Sequence, residues 1–67
     1  MKLENWYKDQ IAEEEFIIWG DIYNDKEMRF WNGQYIHTSG IKNRDVKEGD
    51  VVQTRNNQYT LGKEMVL

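Results

Sequence analysis

The sequence predicts an α+β protein in which one short N-terminal helix packs on a small antiparallel sheet or half-barrel of about five strands. Three observations carry that expectation. Asn32-Gly33 and Asn56-Asn57 each separate two runs of strand-forming residues, and both dipeptides accept the positive φ angles of a tight hairpin turn, Asn less readily than Gly. Residues 16–23, Phe-Ile-Ile-Trp-Gly-Asp-Ile-Tyr, are dense in β-branched and aromatic side chains. Residues 2–14 instead place Leu3, Trp6, Tyr7 and Ile11 at spacings of three and four, with Lys2, Glu4, Lys8, Asp9 and Glu13 between them, as on an amphipathic helix.

Taken in order, the helix occupies residues 1–15, antiparallel strands fill 16–62, and 63–67 form a tail of one single domain. The helix is too short to stand alone and must pack on the sheet. In the first strand, alternation puts Phe16, Ile18 and Ile22 on one face with Gly20, and Ile17, Trp19 and Tyr23 on the other with Asp21. Both faces are apolar, so the strand is either central or presents one face to a partner. Gly20 marks a bulge or a bend. Asn24-Asp25-Lys26-Glu27 is a polar connection, and the first hairpin then begins near Met28 or Arg29. On its return strand Tyr35 and His37 share a face opposite Gln34, Ile36 and Thr38. Ile41 and Val46 are apolar anchors flanking a loop, and Lys47-Glu48-Gly49-Asp50 turns the chain into the last hairpin.

A chain of 67 residues buries only about 60% of the surface its unfolded form exposes, so it needs dense packing or self-association. With no cysteine there are no disulfides to help, and with His37 as the only histidine a structural zinc site is not expected. Residues 1–27 carry three basic and eight acidic side chains, while residues 28–67 carry six basic and four acidic. An acidic front argues against a general nucleic-acid binder, and Glu13-Glu14-Glu15 reads as a solvated run that keeps the following strand soluble. Residues 1–6 contain no apolar run resembling a secretory signal, and the longest apolar run, 16–19, is too short to span a bilayer. A cytoplasmic protein without a membrane partner is therefore expected.

Chemistry is poorly supported. Ser39 lies two residues from His37, which does not by itself set hydroxyl on imidazole, and no third group is marked out to orient them. Glu13, Glu14, Glu15 and Asp21 match no metal-binding or phosphate-binding spacing. The expectation is a protein that is not an enzyme and uses no cofactor. Binding is better supported: nine aromatic residues are a large share of so short a chain. The candidate interface is Trp19, Tyr23, Arg29, Trp31, Tyr35, Arg44 and Arg55, residue types common at interface hot spots. Trp19 reads equally well as core. Trp6 and Tyr7 read as helix-to-sheet packing, and an unpaired sheet edge makes a symmetric homodimer an expectation.

Gly20-Asp21-Ile22-Tyr23-Asn24, Arg29-Phe30 through Asn32-Gly33, the run from Ile36 to Ile41, the run from Gly49 to Arg55, and Tyr59-Thr60-Leu61-Gly62 cover residues 20–62. Together they resemble a class of very small proteins of phages and bacterial genomes. In size and texture the chain is similar to the small dimeric inhibitors of the Hachiman defence system. The resemblance implies an anti-defence protein of phage type that inhibits a host defence protein by contact alone, in the host cytoplasm, and it carries over no catalytic residue. Two other readings compete with it. One is a small barrel that binds nucleic acid, with Trp31 and Tyr35 stacking on bases and the three arginines on phosphates. The other is capture of a nucleotide signal between protomers, with Thr38, Ser39 and Arg55 in the pocket.

Overall fold

The computed structural model describes residues 1–66; the last residue of the expected 63–67 tail lies outside the described residues. Six strands form one mixed sheet: β1 (Lys2–Ala12), β2 (Glu15–Tyr23), β3 (Gln34–His37), β4 (Ile41–Lys42), β5 (Val51–Gln53) and β6 (Gln58–Leu61). Their order across the sheet is β3-β2-β1-β6-β5, and β4 pairs with β2 beside β3. Neighbours run antiparallel except β1 and β6, which run parallel.

The expected N-terminal helix does not form, and this corrects the α+β reading: the described residues contain strands and no helix. The spacing that suggested a helix comes from a bulge. Register between β1 and β2 shifts between Glu4 and Tyr7, so that Asn5 and Trp6 together face Gly20. Asn5 takes a φ of 52°, a left-handed conformation that Asn adopts more readily than most residues. Leu3 and Trp6 therefore both point into the core although they lie three residues apart, and both are fully buried. Without the bulge, the period of two would have sent Trp6 to the other face. Gly20 makes room for it: a Cβ there would lie 3.2 Å from both the Glu4 carbonyl oxygen and Trp6 Cβ.

The β1–β2 turn, Glu13-Glu14, has no residue favoured in tight turns. Its carbonyls are capped from outside instead. Asn43 Nδ2 and Gln10 Nε2 donate to the Glu13 carbonyl, Gln10 Nε2 also to that of Ala12, and the Asn43 backbone N–H to that of Glu14. The two expected hairpins are also redrawn. Asn32-Gly33 does turn the chain, with Gly33 at φ 86° and the Gln34 N–H donating to the Trp31 carbonyl at 3.0 Å. The strand that leaves the turn pairs with β2, however, not with residues 29–31. In the last hairpin the pair Gln53–Gln58 places Arg55-Asn56 at the tip, and the Thr54 hydroxyl accepts the N–H groups of Asn56 and Asn57.

One face of the sheet carries the core: Leu3, Trp6, Phe16, Ile18, Ile22, Ile36, Ile41, Val52, Tyr59 and Leu61. Phe16, Ile18 and Ile22 take the face that alternation assigned to them. Since the described residues provide neither a helix nor a second sheet to cover this face, the sheet must curl over it. Contacts between opposite ends of the strand order show that it does. Asn56 Nδ2 at the β5–β6 tip donates to Ser39 Oγ just beyond β3 at 3.1 Å. Arg29 Nη2, in the β2–β3 connection, donates to Asn57 Oδ1 at 2.9 Å. Thr38 closes the gap between β3 and β4: its N–H donates to the Ile18 carbonyl and its hydroxyl accepts the Ile18 N–H. Trp6 Nε1 donates to the Gly62 carbonyl at 2.9 Å, so the one buried indole N–H is paired. No helix among the described residues is long and apolar enough to cross a membrane.

Candidate functional site

The face of the sheet opposite the core carries a row of aromatic side chains from three strands. Register builds it. Tyr7 pairs with Trp19, Trp19 with His37, and Asp21 with Tyr35, and directly paired residues project to the same face. The Trp19 and Tyr35 rings stack with centroids 5.3 Å apart and planes 19° from parallel. The His37 ring, on the same strand as Tyr35, leans on Trp19 with centroids 4.7 Å apart and planes at 56°. A hydrogen bond joins the hydroxyls of Tyr7 and Tyr35, so the row is tied across β1, β2 and β3.

Carboxylates border these rings. Trp19 Nε1 donates to Asp9 Oδ2 at 2.9 Å, which fixes the indole and leaves the second carboxylate oxygen for another donor. Asp21, beside Tyr35, accepts from Asn5 Nδ2 at 3.3 Å. The Tyr35 hydroxyl is pushed up to about 12, first by its bond to Tyr7, then by desolvation, and further by the charges of Tyr7, Asp21 and Asp9. The nearest basic residue on β1, Lys8, turns to the opposite face, with its ammonium 4.3 Å above the Phe16 ring and donating to the Arg44 carbonyl. Beside the tyrosine pair lies an open cleft of about 690 Å³ lined by Tyr7, Lys8, Tyr35, Glu64 and Met65.

Of the seven expected interface residues, the structure brings Trp19 and Tyr35 into contact. Tyr23 lies on the same face at the end of β2, 36% exposed, beside the glycine of the Asn32-Gly33 turn. Trp31 stands 81% exposed on the β2–β3 connection, near Met28, which is 84% exposed and held at φ 56°. The three arginines do not join the aromatic row. Arg29 Nε faces the carboxylates of Glu27 at 3.1 Å and Asp25 at 3.6 Å, and so it braces its own loop. Arg44 lies 3.9 Å from Asp50, and Arg55 is exposed at the β5–β6 tip. Tyr7 and Asp9 belong to the site but were hidden by the helical reading; the strand register is the signal that recovers them.

His37 and Ser39 take separate partners. His37 Nδ1 meets the Thr38 carbonyl at 2.8 Å, where the ring acts as donor, while Ser39 Oγ accepts from Asn56. Among the described residues no three His, Asp or Glu side chains gather into a group able to hold a metal ion. The arrangement offers an acid-rimmed aromatic surface tied together by hydrogen bonds. No protein-family model matches the chain, nor does any curated protein or solved structure.

Proposed function

We propose that this chain is a non-catalytic docking protein: a small accessory protein of phage type that binds and inhibits a component of a bacterial anti-phage defence system, as a homodimer in the host cytoplasm. The observation that carries the reading is the Tyr7–Tyr35–Trp19–His37 row. These rings lie outside a core already complete on the other side of the sheet. Aromatic side chains left on the far face and held in place by hydrogen bonds lose little freedom when a partner covers them. Large rings of this kind are also the groups that dominate interface energies. The exposed Trp31 supplies a second anchor from the adjacent loop.

The test pairs two measurements in a bacterial strain that carries the defence system. Tagged protein is expected to retain a helicase or nuclease component of that system at stoichiometric level and to restore phage plating. Tyr35→Ala, at a half-exposed position, is expected to weaken retention by about thirtyfold, the loss typical of an interface hot spot. Equal retention by the variant and the parent, or no effect on plating, overturns the reading.

A further inference from the structure

The docking face has a charge as well as a shape, and the two together select a chemistry. Asp9 and Asp21 border the stacked Trp19–Tyr35 pair, and among the described residues neither is in an ion pair with a Lys or Arg: Asp9 holds the indole N–H, Asp21 holds an amide, and Lys2 on the same face lies 3.7 Å from Glu4. Lys8 lines the cleft beside the tyrosine pair, but its ammonium is held over the Phe16 ring and on the Arg44 carbonyl. A carboxylate on the indole N–H pushes electron density into the ring system, which strengthens its attraction for a cation. Of the common cations, a guanidinium fits best. It is planar, stacks on a ring face, and presents its N–H groups in its own plane to a neighbouring carboxylate, which a Lys ammonium does not.

We propose that this face receives an arginine side chain of the partner protein, its guanidinium stacked on the exposed ring of Tyr35 and paired with the carboxylate of Asp21. The proposal rests on the docking reading above and specifies what the docked surface must contain. The partner's contact segment is basic, in keeping with the acidic N-terminal half of this chain.

The test titrates the full chain with blocked oligo-arginine, oligo-lysine and oligo-citrulline peptides of equal length. Binding is followed by calorimetry and by the nuclear magnetic resonance signal of the Trp19 indole N–H. Oligo-arginine is expected to shift that signal saturably and to bind more tightly than oligo-lysine, with oligo-citrulline silent. Tyr35→Ala and Asp21→Asn are each expected to weaken oligo-arginine about three- to tenfold. Glu48→Gln, which removes the same charge from the turn before β5, leaves it unchanged. Signal dispersion in each variant reports whether the fold is kept. Equal binding of the lysine peptide, an equal loss in Glu48→Gln, or no saturable shift at Trp19 overturns the arginine assignment. Those failures leave protein docking standing, because retention of the defence component and its loss in Tyr35→Ala are scored without any peptide.

Discussion

Tyr35 has an ordinary pKa of 10.0 when exposed, and the bond to Tyr7, desolvation and the charges around it raise this to about 12. Because the folded value lies above the unfolded one, the neutral phenol stabilises the fold fully below pH 10, and that contribution is lost as the pH rises through about 12. An alkaline absorbance titration is expected to show a late phenol, and Tyr7→Phe is expected to return it toward the ordinary range. A late phenol persisting in Tyr7→Phe contradicts the bond as the main cause. Asp25 shows the opposite sign. Desolvation works to raise its pKa, but the N–H groups of Glu27 and Arg29 and the Arg29 charge outweigh this, and the carboxyl lies below 3.8. Its contribution is present above that value and is lost as the pH falls through the lowered one. Asp25→Asn is expected to flatten the acid limb of a stability-against-pH curve, and an unchanged limb counts against the loop brace. The site was legible where alternation alone assigns a face, as for Trp19 and Tyr35. Arg29 was not, because the Asn57 it donates to is 28 residues away.

At the scale of elements, β1 is where sequence and structure part company. A strand interrupted by one extra residue brings inward positions to a spacing of three, and that spacing imitates a helix face. Nothing in residues 1–15 marks the interruption except Asn5, whose left-handed φ needs the partner strand to be seen. The Glu13-Glu14 turn was equally hidden, since its caps come from Gln10 and from Asn43 on another element. By contrast, β2 and the inward faces of β3, β5 and β6 follow plain alternation. Gly20→Ala is expected to lower stability by about 1–2 kcal/mol in denaturant titration, since the added methyl presses on the Glu4 carbonyl and on Trp6 Cβ at 3.2 Å. Asn43→Ala is expected to cost roughly 1 kcal/mol by removing the amide that donates to the Glu13 carbonyl. A stabilised Gly20→Ala means that the bulge does not press against β2 there.

At the scale of the whole molecule, the sheet becomes a half-closed shell because its outlying parts are tied to each other. Arg29 is one of the ties, linking the β2–β3 connection to the β5–β6 tip while also facing Asp25 and Glu27. Its pair with Glu27 is exposed and contributes little, while the side chain of Asp25, 3% exposed, keeps its backbone N–H partners, so Arg29→Ala is expected to lower stability by about 1 kcal/mol. Retention of the docking partner is expected to stay unchanged, which separates this arginine from the interface role its residue type suggested. A stable Arg29→Ala chain that fails to bind reverses that assignment.

The parallel pairing of β6 against β1 has a consequence for how the molecule comes into being. Trp6 meets Gly62 across 56 residues of chain, so the segment that completes the middle of the sheet is made well after β1 and β2. A nascent chain stopped short of β5 lacks Val52, Tyr59 and Leu61, so the greasy side of its β1–β2 hairpin is without the strands that close over it. Contacts this remote in sequence make for slow folding, in the millisecond-to-second range of β proteins. Until β6 has been made, the growing polypeptide is exposed to chaperones and proteases with Trp6 uncovered.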